Sequence, residues 1–81
     1  MNSLSHLKSH LVSLYLQERE PVKKENLAHL IYYMDELILK NNRISKDEIL
    51  KDFEIYSDYM LEVKMIYYVL KGMLEREKVG E

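Results

Sequence analysis

From Asp58 to Glu77 the sequence reads DYMLEVKMIYYVLKGMLERE, twenty residues of which twelve are apolar or Tyr. At 100° per residue, Tyr59, Met60, Val63, Ile66, Tyr67, Leu70, Met73 and Leu74 fill about half the circumference of a helix, and a face that wide belongs against other helices. A second row, Leu61, Met65, Tyr68 and Gly72, runs at i, i+4, i+7 and i+11 along the opposite side. A chain of 81 residues has few helices with which to cover both sides. Either this helix lies in the middle of a bundle, or its second row meets another chain.

The rest of the sequence divides into three further helical segments. Asn2 or Ser3 can cap a first helix near residues 3–20, with Leu4, Leu7, Leu11, Leu14 and Tyr15 on one face. Proline disfavours α geometry in the residue before it and is tolerated in a first helical turn, so Glu20-Pro21 reads as a sharp corner. A second helix near 22–40 carries Leu27, Leu30, Ile31, Met34, Leu37 and Ile38 as an amphipathic stripe. After Asn41-Asn42-Arg43, Ser45 and Glu48 form a capping-box pattern, with Ile44 placed to staple onto Ile49. A short third helix near 46–53 follows, turning Ile49, Leu50 and Phe53 inward. Ser57 or Asp58 then caps the long fourth helix near 58–77, with Gly80 beyond its end. The expected fold is all-α, a compact four-helix domain spanning residues 1–81 as a single helical domain, with its last two helices in a corner.

That corner resembles a helix-turn-helix or the start of a winged helix. The resemblance rests on spacing over roughly the last 35 residues: a helix at 46–53, a linker Glu54-Ile55-Tyr56-Ser57, and a second helix in the position of a recognition helix. It implies a DNA-binding transcriptional regulator, whose basic residues on the long helix would be Lys64, Lys71, Arg76 and Lys78. The linker departs from the pattern in lacking Gly, and Val79-Gly80-Glu81 after the long helix is too short for a wing. Charge departs further, because DNA affinity depends on Lys and Arg neutralising phosphates. Between Ser45 and Glu62, Lys46 and Lys51 stand against Asp47, Glu48, Asp52, Glu54, Asp58 and Glu62, a local charge of −4. DNA binding is therefore the alternative expectation, behind a protein partner.

Composition narrows the chemistry. Apolar residues at 47% and charged residues at 32%, with signs nearly balanced, suit a soluble folded domain, which is expected in the cytoplasm. The absence of Cys excludes disulfides, Cys-ligated zinc and thiol catalysis. The longest apolar run, Met65–Leu70, is far short of the roughly 20 residues that cross a bilayer. Lys8 and two His interrupt the N-terminal apolar pattern, so no signal peptide is expected there. His6 and His10, one helical turn apart, are weak candidates for a metal site, and Glu25 and His29 are spaced four apart rather than the three of di-iron bundles. No nucleophile elbow or phosphate loop is present, and Asp35-Glu36 and Asp47-Glu48 fall on faces expected to be solvated. No enzyme, cofactor or small-molecule substrate is expected. Ile31-Tyr32-Tyr33 recurs as Ile66-Tyr67-Tyr68 at a period of 35, a hint of repetition that two similar amphipathic helices also explain.

The expectation that remains is a protein–protein interaction, adaptor or regulatory module, of the kind a virus or a thermophile can carry, that forms a homodimer. Pairing the long helix antiparallel with its own copy, about a two-fold axis between residues 66 and 67, sets Leu61 against Gly72, Met65 against Tyr68 and Glu62 level with Lys71. The expected interface is Leu61, Glu62, Met65, Tyr68, Lys71 and Gly72.

Overall fold

A computed structural model of the chain describes residues 3–79, with side-chain surroundings described through residue 76. It contains α1 (Ser3–Gln17), α2 (Pro21–Leu39), α3 (Lys46–Ser57) and α4 (Leu61–Val79), and no strand among the described residues. The expected all-α class and four helices are present. Packing divides the chain into two compact units, Met1–Ile44 and Ser45–Glu81.

In the first unit α1 and α2 run antiparallel, since Lys8 pairs with Asp35 while Tyr15, later in α1, meets Lys24, earlier in α2. The Lys8 ammonium lies 2.6 Å from the Asp35 carboxylate, and the Lys24 ammonium sits 4.5 Å from the centre of the Tyr15 ring. The core is Leu11 of α1 with Leu27, Leu30, Tyr33 and Met34 of α2. Leu4, Leu7, Leu14 and Tyr15 lie on the same side of α1 and are half-buried. Helix α1 stops at Gln17 rather than near Glu20, because Pro21 holds Glu20 extended (φ −77°, ψ 123°). Glu18 fills the gap by accepting the amides of Arg19 and Glu20 on its own carboxylate, at 3.1 and 3.2 Å. Pro21 itself is the first residue of α2, where a missing N–H costs no helical bond.

At the other end of α2, Lys40 takes the left-handed conformation (φ 56°), and its amide returns to the Glu36 carbonyl, a role glycine often fills. Glu36 departs from the expectation of a solvated Asp35-Glu36 pair. Its side chain is buried; Oε1 accepts from the Asn41 side-chain amide at 3.4 Å, and Oε2 has no hydrogen-bond partner. A carboxylate in the last turn also faces the negative end of the helix dipole.

In the second unit Ser45 caps α3 as expected, its Oγ accepting the Glu48 amide at 3.1 Å, with Asp47 and Glu48 in the first turn. Helix α3 does not stop near Phe53. It continues through Glu54-Ile55-Tyr56-Ser57, where neither Gly nor Pro opposes it, and the expected linker is its last turn. Ser57 ends that turn instead of capping α4: its hydroxyl donates to the Glu54 carbonyl at 2.6 Å. The turn Asp58-Tyr59-Met60 follows, so α4 starts three residues later than expected. Met60 occupies the capping position, its carbonyl accepting from Val63 and Lys64, and its buried side chain anchors the helix start where no polar cap does.

Val63, Ile66, Tyr67, Leu70 and Leu74 then bury one face of α4 against α3, with Ile49 and Phe53 completing the core. Of the residues assigned to this face from the sequence, Met73 is half-buried and Tyr59 is exposed, because Tyr59 belongs to the turn. The two Ile-Tyr-Tyr triplets are not equivalent in packing. Tyr33 is buried and Tyr32 exposed, whereas Tyr67, which matches Tyr32, is buried and Tyr68 exposed.

Replacing Ser45 by Ala is expected to cost about 1 kcal/mol in urea unfolding, through the lost acceptor for the Glu48 amide. Glu36→Met, which removes an unpartnered buried oxygen and keeps a similar shape, is expected to stabilise the chain by about 1 to 3 kcal/mol in the same assay.

Candidate interaction surface

With one face of α4 committed to the core, the opposite face is left to solvent. Leu61, Met65, Tyr68 and Val69 are 75%, 70%, 60% and 51% exposed, a row of large apolar side chains along more than two turns. Val69 was not in the row expected from the sequence. Its signal was present all the same, as the one apolar residue of the helix assigned to neither face. Tyr59 in the preceding turn and Ile55 at the end of α3 are also exposed apolar groups of this unit.

Gly72 ends the row. A methyl group built on its Cα would meet no atom within 4 Å, so nothing inside the chain requires glycine there. Glycine in a helix interior nonetheless costs about 0.5–1 kcal/mol relative to alanine. The backbone at Gly72 is thus bare on the outward side of the helix, at a cost that internal packing does not explain.

Charged residues flank the row. On the helical wheel Glu62, Val69 and Arg76 lie along one edge, and Lys64, Lys71 and Glu75 along the other. The Lys71 ammonium is 4.0 Å from Glu75 and 6.0 Å from the centre of the Tyr67 ring. Arg76 Nε donates to the Gly72 carbonyl at 3.3 Å. The expected pairing of Glu62 with Lys71 across an antiparallel dyad needs correction on this geometry. The two stand level along the axis but on opposite edges, and a dyad perpendicular to both helices brings each edge against its own counterpart.

Tyr67 supports the row from beneath. Its hydroxyl donates to the Glu54 carboxylate at 2.9 Å, joining α4 to α3, and its ring lies 5.4 Å from that of Tyr68. Burial raises the Tyr67 pKa above 10.0, and its hydrogen bond to Glu54 and the charge of Glu54 add to the rise. A phenol that ionises later in the folded chain than in the unfolded one contributes stability that is whole below pH 10 and is lost as pH climbs beyond it.

Lys64 is half-buried, while Lys71 and Arg76 are exposed on opposite edges of the apolar row; Lys78 lies outside the described side chains. Asp47, Glu48 and Glu54 are exposed on α3 and Asp52 is half-buried, so the acidic character read from the sequence reaches the surface. His6 and His10 are exposed on α1. His29 Nε2 lies 2.9 Å from the Tyr33 hydroxyl, the two rings meeting edge to face at 4.6 Å. Among the described residues no three His, Asp or Glu side chains converge as a metal site would require. An open groove of about 580 Å³ on the first unit is lined by Ser5, Ser9, Val12, Ile38 and Leu39, with the Lys8–Asp35 ion pair in its wall. No helix among the described residues is long and apolar enough to cross a membrane. Comparison with protein family models, curated proteins and solved structures finds no match to the chain.

Above pH 10 the unfolding free energy is expected to fall more steeply for the parent chain than for Tyr67→Phe, as read by urea titrations on either side of that pH. Parallel pH dependences would remove Tyr67 from the account.

Proposed function

We propose that the chain is a non-enzymatic interaction module that associates with a second copy of itself through the outward face of α4. The observation that carries this reading is the row Leu61, Met65, Tyr68 and Val69, exposed on a helix whose other face is already filled. Isolated exposed apolar residues are ordinary on a protein surface, but a contiguous row of them along one rigid helix marks a contact surface. Gly72 adds a recess in the same row, and large groups next to a recess on one surface suit self-complementary packing.

The alternative, a DNA-binding regulator of helix-turn-helix type, draws its support from two helices joined by the short turn 58–60. Its would-be recognition helix opens with Leu61, Glu62 and Met65 on the outside, behind an acidic α3. Those groups favour an apolar protein surface over phosphate.

One face of one helix per chain makes a small interface, below about 1,200 Å², for which weak association is expected. Light scattering behind size exclusion, loaded from low to high micromolar concentration, is expected to show the mass rising towards twice 9.8 kDa. Tyr68→Glu is expected to hold the chain at the monomer mass with unchanged helical circular dichroism. A parent chain that stays monomeric throughout overturns the reading. A shift of random duplex DNA in low salt that disappears as salt is raised would favour the alternative.

A further inference from the structure

We infer that the last turn of α2 is a latch that opens while the rest of the first unit stays folded, and that the buried Glu36 carboxylate drives the opening. The inference is independent of the self-association proposed above.

Features that oppose the closed turn gather between Glu36 and Asn42. The Glu36 side chain is buried with Oε2 unpartnered, and its other oxygen has one long bond, 3.4 Å from the Asn41 side-chain amide. That carboxylate also sits at the negative end of the helix dipole. Lys40 (φ 56°) and Asn42 (φ 57°) hold the left-handed conformation, which asparagine tolerates and lysine takes only under constraint. The backbone amides of Lys40 and Asn41 both return to the Glu36 carbonyl, so two donors share one acceptor.

Little holds the turn against them. Leu37 and Ile38 are half-buried, Leu39 is 66% exposed, and every side chain from Lys40 to Arg43 is exposed. Earlier in the helix the balance is reversed. Leu30 and Met34 are fully buried, and Asp35 is tied to Lys8 of α1 at 2.6 Å. Segments with few buried apolar contacts open first, so the boundary between latch and fixed helix falls after Asp35.

Opening relieves the opposing features together. The Glu36 carboxylate regains water, and a charge buried without partners is costly to keep. Lys40 and Asn42 return to ordinary backbone angles, and the two amides leave their shared acceptor. Ile38 and Leu39 leave the wall of the groove that they line with Ser5, Ser9 and Val12, and the connector ahead of α3 grows by about one helical turn. Local rules broken together in one short segment are expected at functional sites rather than in a plain connector.

Residue-resolved amide hydrogen exchange of the full chain, read by NMR under native conditions, tests the latch. Leu39, Lys40 and Asn41 are expected to be less protected than Leu30 and Met34 by about tenfold or more. Glu36→Met is expected to raise the protection of those three amides by about 5- to 150-fold, because opening no longer frees a buried carboxylate. Position 36 is not adjacent to any of the three, so the substitution leaves their intrinsic exchange rates alone. Lys40→Gly, which relieves the left-handed cap without touching the carboxylate, is expected to raise protection at the same amides.

Parent amides at 39–41 as protected as those at 30 and 34 overturn the inference, since the turn then opens only with the whole unit. Low protection that Glu36→Met leaves unchanged overturns it as well, since the helix end then frays without releasing the carboxylate. Protection that falls in Lys40→Gly means that the left-handed lysine supports the closed turn, and overturns it too.

Discussion

A helix packed against a single neighbour can bury one side and no more. That constraint organises both units of this chain, since α1 and α2 cover each other in the first and α3 and α4 in the second. In the second unit α4 supplies Val63, Ile66, Tyr67, Leu70 and Leu74 to the core, against Ile49 and Phe53 from the shorter α3. The burial that holds the unit together also fixes which residues are left outside. Leu61, Met65, Tyr68 and Val69 are exposed because their neighbours in the same helix are not. Core and exposed apolar row are two consequences of one helical period acting on one apolar-rich segment.

Periodicity made the helices and most of the core legible in the sequence. Leu11, Leu27, Leu30, Met34, Ile49, Phe53, Val63, Ile66, Leu70 and Leu74 all stand on the faces that a 3.6-residue repeat assigns them. Ser45 was equally legible, because a capping pattern is local and acts over three residues. Less was legible where two local rules competed. Ser57 and Asp58 have the chemistry of a cap, yet Ser57 turns its hydroxyl back to Glu54, and the uninterrupted segment from Lys46 carries α3 to its end first. Glu36 escaped because sequence separates charged from apolar residues but does not say which charged side chain the end of a helix will fold over. Tyr33, absent from the stripe expected for α2, escaped for a related reason, whereas Tyr67 is buried on the face expected of it. Tyr suits core and rim alike, and in Ile-Tyr-Tyr only the helix phase decides which ring goes inside.

The surface follows a different logic from the core. Acidic residues gather on α3, and cations flank the apolar row of α4 on both of its edges. Phosphate recognition would want those cations together with the apolar groups withdrawn, and the chain has the opposite order. The outward face of α4 is therefore apolar along its middle and charged along its edges. A glycine set into such a row costs the helix stability, and nothing within the chain occupies the space beside it.

Helix α4 begins on Met60, held by a buried thioether rather than by a hydrogen-bonding cap. A polar cap would tie the first turn to one set of amides, whereas an apolar anchor ties it to a depth in the core. Met60 thereby joins Val63, Ile66, Tyr67, Leu70 and Leu74 in setting the rotation of the outward row. A single residue gained or lost inside α4, between Leu61 and Gly72, would turn the parts of the helix on either side of it by about 100° relative to each other, so that core face and outward row could not both keep their places. Length is for this reason fixed more tightly along α4, where core and exposed row share one backbone, than in the turn 58–60 before it.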